Sequence, residues 1–471
     1  MTKIKFGTDG WRAIIAKEYT VDNVARVSSA VAVWLKENFQ KPVVTIGHDC
    51  RFGGEMFVEA AIKVFVSQGI RVYTTNKGFV STPMISLATR KLEASLGVVI
   101  TASHNPPSYN GYKLKGHFGG PLLPDQVGEI EQIIPDENTV DLNAISIRQA
   151  EEDGLIIYSD FEEMYLQQVR EVFDLDLIKN SGIGLAYDAM YGAGQRVAKR
   201  LLPDMTFLHC EYNPSFMGQA PEPIHKNLIE FSNLIKGDDA IQCGLATDGD
   251  ADRIGLYNST GEFVDSHHII LLTIHYLVKY KGLNGKVVTG FSSTPKIKKM
   301  CAHYGLEHVE VPIGFKYIAG LMADSSQDVL LGGEESGGIA IKTHIPERDG
   351  IWMGLTVWEF MAKTGKTLED LIAEVYEIVG PFAFERNDLH INEQLKQEIV
   401  EKCKRSEFNM FGKYKVERVE DMDGFKYFFD EDRWLMIRPS GTEPVLRTYA
   451  QAPTLEEVRV ILDACKLTIG A

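Results

Sequence analysis

The chain has 471 residues, 44% hydrophobic and 24% charged, which is the composition of a globular protein too long for a single core. Its formal net charge of −16 argues against nonspecific nucleic-acid binding, because that needs a basic surface. No apolar run is long enough for a membrane span or a signal peptide, so we expect a cytoplasmic protein. The 6 cysteines form no CxxC pair, so we expect neither a zinc site nor disulfides, as is typical of a reducing compartment.

The first part of the chain predicts a β-α-β-α-β unit. Short apolar runs predict three strands and amphipathic stretches predict two helices, in the order 43–47, 56–68, 71–74, 83–90 and 97–101. The third strand ends in Thr101-Ala102-Ser103-His104-Asn105-Pro106, the position at which α/β proteins bind ligands. Taken alone, Ser103 is more typical of a solvated loop serine than of a nucleophile or a phosphate carrier.

The same order returns in a second unit that ends in an acidic loop. Its predicted strands and helices are 182–187, 194–202, 206–210, a helix near 229, and 243–247. Three carboxylates follow at alternate positions, Asp248, Asp250 and Asp252, and such acids can converge on one hard cation. An EF-hand is excluded, because Arg253 and Ser259 stand where it needs glycine and glutamate. A solvated acidic turn is the alternative to a Mg²⁺ site that leaves room for a phosphate oxygen.

A third copy ends in a glycine-rich acidic loop. Its elements are predicted at 286–289, from 295, at 308–311, 315–322 and 329–331. The loop at 332–338 carries Glu334, Glu335 and Ser336, which suit hydrogen bonds to sugar hydroxyls and suit a phosphate poorly. Glycine-glutamate turns are also common on surfaces, so this loop alone does not establish a sugar site.

From about Pro381 the pattern changes to a smaller α+β domain. Strands are predicted at 413–419, 424–429 and 434–438, and a helix at 455–467 with Thr454 as its N-cap. Between them, 438–444 combines an arginine, two hydroxyls and a glycine, which together can form a phosphate-binding loop, and Arg447 follows it. A capped surface turn is the alternative for this segment.

Three further loops carry a cation among small residues, at 6–12, 110–113 and 314–316. Since strands that alternate with helices imply parallel sheets, the functional-looking loops of the three repeated units should lie at carboxyl ends of strands.

Neither a Walker A sequence nor a G-x-G-x-x-G fingerprint occurs in the right context, which argues against use of ATP or NAD.

These loops together, above all T-A-S-H-N-P at 101–106 and D-G-D-A-D-R at 248–253, resemble the α-D-phosphohexomutases, the phosphoglucomutase and phosphomannomutase superfamily. The resemblance covers essentially the whole chain, with the four motifs in the right order. It implies an α/β fold: three consecutive β-α-β-α-β mixed-sheet domains and a smaller C-terminal α+β domain around a central cleft. The implied domains and loops are 1–150 (phosphoserine), 151–258 (metal), 259–378 (sugar) and 379–471 (phosphate).

The resemblance also implies roles for individual residues. Ser103 would be the phosphoserine with His104 supporting its loop, and a phosphoserine oxygen would join Asp248, Asp250 and Asp252 around Mg²⁺. Arg12, Lys113 and Lys316 would be active-site cations. The implied substrate-binding residues are Arg253, Glu334, Ser336, Arg438, Ser440, Gly441, Thr442 and Arg447.

The implied activity is interconversion of glucose 1-phosphate and glucose 6-phosphate through a hexose 1,6-bisphosphate, with glucose 1,6-bisphosphate as activator. Many bispecific members and glucosamine mutases end the sugar loop with histidine, whereas Gly338 stands here; the glucose-specific branch usually has phenylalanine where Gly337 stands. The alternatives are a phosphomannomutase, alone or bispecific, a glucose 1,6-bisphosphate synthase, and a non-catalytic sugar-phosphate sensor. The expected partner is a small hexose phosphate, not nucleic acid or membrane, bound by a monomer or homodimer.

Overall fold

The computed structural model describes residues 3–439 and 445–471. They form two compact units, one of residues up to Val288 together with Gly314–Ile372, the other of Thr289–Ile313 together with the residues from Ala373 onward. Across these described ranges, no helix has both the length and the apolarity needed to cross a bilayer.

The first unit begins with a six-stranded sheet and the helices around it. In chain order these elements are β1 (Trp11–Ile14), α1 (Val21–Asn38), β2 (Val43–His48), α2 (Gly54–Ser67), β3 (Arg71–Thr74), α3 (Thr82–Lys91), β4 (Leu96–Ile100), β5 (Tyr109–Gly116), α4 (Pro124–Gln132), α5 (Ile147–Glu152) and β6 (Ile156–Tyr158). The strand order is β1-β5-β4-β2-β3-β6. Strands β4, β2, β3 and β6 run parallel, whereas β5 is antiparallel to both β4 and β1. The predicted elements of this unit are confirmed, and the sheet is mixed.

A second sheet of the first unit carries the acidic loop. Its elements are α6 (Phe161–Val172), α7 (Leu175–Asn180), β7 (Leu185–Asp188), α8 (Gln195–Leu201), β8 (Thr206–Leu208), α9 (Ile229–Lys236), β9 (Cys243–Thr247), β10 (Ile254–Tyr257) and β11 (Phe263–Val264). The strand order is β11-β10-β9-β7-β8. Strand β7 is parallel to both of its neighbours, β8 and β9, whereas β10 is antiparallel to β9. The acidic loop is therefore the turn between β9 and β10.

The third repeated segment contributes to both compact units. Its elements are α10 (Ser266–His275), β12 (Lys286–Gly290), α11 (Lys296–Tyr304), β13 (His308–Val311), α12 (Phe315–Ala323), β14 (Val329–Gly333), β15 (Ile339–Ile341), α13 (Gly350–Thr364) and α14 (Leu368–Val379). Within the first unit, β14 and β15 form an antiparallel pair joined by the glycine-rich acidic loop. The predicted strands and helices are confirmed, and β15 is an additional strand.

The second unit contains an antiparallel sheet. Its remaining elements are β16 (Ala383–His390), α15 (Glu393–Lys404), β17 (Met410–Phe411), β18 (Tyr414–Lys415), β19 (Arg418–Glu420), β20 (Phe425–Phe428), β21 (Trp434–Pro439), β22 (Val445–Ala452) and α16 (Leu455–Ile469). The sheet order is β16-β22-β21-β20-β19. The single strand predicted at 413–419 is wrong, because this stretch is split between β18, which pairs with β17, and β19, which pairs with β20. The predicted cap is confirmed: Glu457 N–H donates to Thr454 Oγ1 at 3.3 Å.

Candidate active site

Ser103 lies just beyond the carboxyl end of β4 in a strained turn. Its φ of 52° is in the left-handed region, which non-glycine residues seldom adopt. Its N–H donates to Thr101 Oγ1 at 2.9 Å, and its hydroxyl donates to Asp248 Oδ2 at 2.6 Å. His104 Nδ1 lies 3.4 Å from the same hydroxyl oxygen. The serine loop and the acidic loop, which are far apart in the sequence, thus meet at the serine oxygen.

The three aspartates of the acidic loop are fully buried and converge. One carboxylate oxygen from each lies within 4.8 Å of the others, and the described residues contain no other group of three or more potential ligands this close. Oδ1 of Asp250 and Oδ1 of Asp252 have no hydrogen-bond partner. Leaving such oxygens buried is costly, and a divalent cation would satisfy both. The donor set therefore fits Mg²⁺, the ion expected from the sequence.

Glycine is needed between the first two aspartates. A Cβ at Gly249 would lie 2.5 Å from Ser103 O, so any larger residue would push the two loops apart. The backbone N–H groups of Asp252 and Arg253 donate to Asp248 Oδ1 at 2.9 and 3.1 Å. Burial, and then repulsion from the other two aspartates, raises the pKa of Asp248 well above its ordinary value.

Lys113, on β5, pairs with Oδ2 of Asp250 and of Asp252, whereas the unpartnered oxygens of these residues are the Oδ1 atoms. Its Nζ lies 2.8 Å from Asp250 Oδ2, 2.9 Å from Asp252 Oδ2 and 2.8 Å from Asp9 Oδ2. Burial works to lower the pKa of Lys113, but these three carboxylates raise it above its usual range. The geometry thus keeps Lys113 protonated, and its contacts hold the carboxylates of Asp250 and Asp252 in place.

Arg348 is a second cation of this network, and sequence analysis assigned it no role. Its Nη2 lies 2.9 Å from Asp252 Oδ2 and donates to Asp9 Oδ2 at 2.6 Å. It sits in the loop between β15 and α13, beside Glu347, whose Oε2 lies 2.6 Å from Lys115 Nζ. Three consecutive charged residues, Glu347, Arg348 and Asp349, directly before a largely apolar helix were the available sequence signal.

The other predicted cations of the first unit flank this centre. Arg12 Nη1 donates to Asn105 Oδ1 at 2.8 Å, which ties the loop at 6–12 to the serine loop. Arg253 is mostly buried, its Nε has no hydrogen-bond partner among the described residues, and its Nη1 lies 3.9 Å from Glu222 Oε1. Lys316, near the start of α12, lines a cavity of about 160 Å³ together with Thr8 and Asp9.

The predicted sugar loop, between β14 and β15, is anchored by its first glutamate. Glu334 Oε1 accepts a hydrogen bond from Gly314 N–H at 2.9 Å, and burial raises the pKa of Glu334 to about 7 although Arg348 and Arg253 oppose the rise. A Cβ at Gly338 would lie 2.4 Å from Arg348 Cδ. The Arg348 side chain therefore occupies the space in which a side chain at 338 would lie. Ser336 is partly buried in the same loop.

The phosphate-binding residues predicted near the C-terminus belong to the second unit. Arg438 on β21 and Arg447 on β22 are paired opposite each other in the sheet. Arg438 Nε donates to Asp423 Oδ1 at 3.1 Å, and Arg447 Nε lies 3.8 Å from Asp388 Oδ1. Ser440, Gly441 and Thr442 lie outside the described residues.

Comparison with known proteins connects this geometry to a family. Models of the phosphoglucomutase/phosphomannomutase α/β/α domains I, II and III match residues 3–141, 163–261 and 265–379, and that of the C-terminal domain matches 392–466. The chain is 28% identical over 463 residues to the phosphoglucomutase/phosphomannomutase of Thermococcus kodakarensis, covering 97% of this chain and 96% of that one. It is 31% identical over 487 residues to the phosphoglucosamine mutase of Halalkalibacterium halodurans, covering 99% of each. A crystal structure from Thermus thermophilus, assigned as a phosphomannomutase, superposes with a TM-score of 0.87 at 31% identity and covers 100% of both chains.

Replacing Asp250 tests the metal site. We expect Asp250→Asn to weaken Mg²⁺ binding at least about 10-fold, because the change removes charge from an unpartnered ligand oxygen. Titration calorimetry with MgCl₂ measures this directly. The exposed Asp239→Asn removes the same charge elsewhere in the first unit and should bind as wild type does. Unchanged affinity in Asp250→Asn would contradict the assignment.

The raised pKa of Glu334 predicts a pH dependence. The predicted role of Glu334 is to accept hydrogen bonds from sugar hydroxyls, and its ionised carboxylate has more acceptor sites than its protonated form. We therefore expect kcat/KM to rise as pH increases through about 7. Glu334→Gln should lower kcat/KM and abolish this inflection in a pH profile. The neighbouring Glu335→Gln, which removes the same charge, should retain it. Persistence of the inflection in Glu334→Gln would show that another group titrates.

Proposed function

Because the chain belongs to the phosphoglucomutase/phosphomannomutase family, we propose that it is a Mg²⁺-dependent phosphohexomutase that interconverts glucose 1-phosphate and glucose 6-phosphate through a phosphoserine at Ser103. Members of this family are mutases, and an enzyme of this class needs a phosphoryl carrier beside a metal site. The hydrogen bond of 2.6 Å from Ser103 Oγ to Asp248 Oδ2 is the observation that carries the proposal.

Phosphoryl transfer depends on positioning and on neutralisation of charge. The phosphoryl group leaves Ser103 Oγ for a substrate hydroxyl, whose proton passes to a base, and the product is a hexose 1,6-bisphosphate. After this intermediate reorients, its other phosphate returns to Ser103. Bound Mg²⁺ would supply neutralisation of the transferring group. Lys113 and Arg348 keep Asp250 and Asp252 in place, and the Arg253 guanidinium would donate to a phosphoryl oxygen.

The remaining sequence-based assignments complete the proposal. Glu334 and Ser336 would bind sugar hydroxyls, while Arg438, Arg447 and the loop 440–442 would hold the phosphate that is not being transferred. Added glucose 1,6-bisphosphate would act as activator by rephosphorylating Ser103. The domain boundaries, a cytoplasmic location and a monomeric or dimeric state remain predictions from the sequence.

A phosphoglucosamine mutase is the second candidate. Relatives of 30% and 31% identity carry that name. The adjacent carboxylates of Glu334 and Glu335 favour it as well, since an amino sugar presents an ammonium group that pairs with a carboxylate. A phosphomannomutase, alone or bispecific, and a synthase that releases the bisphosphate share the same machinery and differ only in substrate choice or in release.

Removing the proposed phosphoryl carrier tests the mechanism. Ser103→Ala should lower mutase kcat at least about a thousandfold and should gain no phosphoryl mass after incubation with glucose 1,6-bisphosphate, whereas wild type should gain one. Coupled mutase assays and intact-mass spectrometry measure the two effects. Ser108→Ala, an exposed serine near the same loop, is the control and should behave as wild type. Full activity in Ser103→Ala would refute the mechanism.

A substrate panel tests the choice of sugar. We expect the highest kcat/KM for glucose 1-phosphate among the 1-phosphates of glucose, mannose, glucosamine and N-acetylglucosamine, since specificity is a ratio of these values. A higher value for glucosamine 1-phosphate would favour the second candidate, and equal values for glucose and mannose a bispecific enzyme. Stoichiometric hexose 1,6-bisphosphate released into solution would instead identify a synthase.

A further inference from the structure

We propose that Arg51 is a positioning residue that holds the Ser103 loop in the conformation required for phosphoryl transfer. The proposal rests on the proposed function, because it assigns a role within the phosphoserine mechanism. Arg51 follows β2 by three residues, and sequence analysis assigned it no role. Only 1% of its surface is exposed, so it is placed to act on the loop and not on the substrate.

The Arg51 guanidinium binds four backbone carbonyls of a single loop. Its Nη2 donates to Ser103 O and Asn105 O, each at 2.6 Å. Its Nη1 donates to Pro106 O and Tyr109 O at 2.9 and 3.0 Å. These four bonds gather the carbonyls of the whole turn from Ser103 to the first residue of β5 around one planar group.

Arginine is the side chain that this arrangement requires. A guanidinium presents five donors in a fixed planar fork, whereas a lysine ammonium has three donors around one point and cannot reach four dispersed carbonyls. Buried carbonyls without donors are costly, so the loop would rearrange if the fork were lost. The ring of Phe216 lies against the guanidinium, with its centroid 5.1 Å from Cζ, and restricts its movement.

A second connection joins Arg51 to the Ser103 amide. Asp49 Oδ2 lies 3.3 Å from Arg51 Nε and accepts a hydrogen bond from Thr101 Oγ1 at 2.5 Å. Thr101 Oγ1 in turn accepts the bond from Ser103 N–H. Arg51 thus fixes Ser103 through its carbonyl directly and through its amide by way of Asp49 and Thr101. Both connections are needed to hold the left-handed φ of 52° that directs the hydroxyl to Asp248.

The test compares two buried arginines. We expect Arg51→Lys to lower mutase kcat about 100-fold, the size expected for misplacement of a reacting group by about 1 Å, while KM changes less than about threefold. The single-turnover rate of Ser103 phosphorylation by glucose 1,6-bisphosphate should fall by the same factor. The control is Arg26→Lys: Arg26 is also buried, and the bonds recorded for it within the described residues go to Pro135 O and Asn23 Oδ1, outside the serine loop. Its kcat should stay close to that of wild type.

Two results would overturn the proposal: a kcat in Arg51→Lys no lower than in Arg26→Lys, or a rise in KM at unchanged kcat. If Arg51→Lys does not fold, Thr101→Val is the alternative test. It removes the connection through Thr101 to the Ser103 amide at nearly constant side-chain volume, and it must lower kcat by a similar factor without changing KM. Measurements on the wild-type enzyme distinguish a failure of this proposal from a failure of the proposed function. A wild type that neither gains a phosphoryl group nor has mutase activity refutes the function, whereas an active wild type with an equally active Arg51→Lys refutes only the role of Arg51.

Discussion

Compensation of buried charge is the constraint on which the site depends. The three aspartates of the acidic loop have no exposed surface, and two of them, Asp250 and Asp252, are paired with cations from distant parts of the chain. Lys113 pairs with Val99 across β4 and β5, so the strand that supplies the cation is the neighbour of the strand that leads to the serine. One antiparallel strand pair therefore connects the loop of the proposed phosphoryl carrier with the cation that compensates two of the proposed metal ligands.

The sequence predicts those elements whose pattern is set by burial of apolar side chains. Strands β2, β4 and β9 are short apolar runs, and α2 has an amphipathic period, so each is recognised from local sequence alone. Strand β5 was missed because Asn110, Lys113 and Lys115 are buried in it. The burial of the two lysines is stabilised by acids far away in the chain, which no local hydrophobic pattern can indicate. The strand that departs most from the expected pattern is thus the one that serves the site.

The same distinction separates the site residues that were predicted from those that were missed. Asp248, Asp250 and Asp252 lie at alternate positions of one loop, so their convergence follows from local geometry. Arg51 and Arg348 act on loops that folding alone brings near them. Arg348 bonds to Asp9, at the opposite end of the first unit's sequence, and Arg51 bonds to carbonyls, which have no signature in residue type. A residue that acts on backbone atoms cannot be predicted from the side-chain types of the residues it contacts.

Substrate choice is harder to derive than the reaction for a related reason. The proposed phosphoryl carrier and the proposed metal ligands occupy their motif positions, but the space beside Gly338 is filled by Arg348 from the following loop. The charge at the end of the sugar loop therefore comes from a residue that also binds Asp9 and Asp252. Replacing this arginine would therefore disturb the acids Asp9 and Asp252 as well as the predicted sugar loop. The sequence of that loop alone does not identify the substrate, because a side chain from another loop fills part of its space.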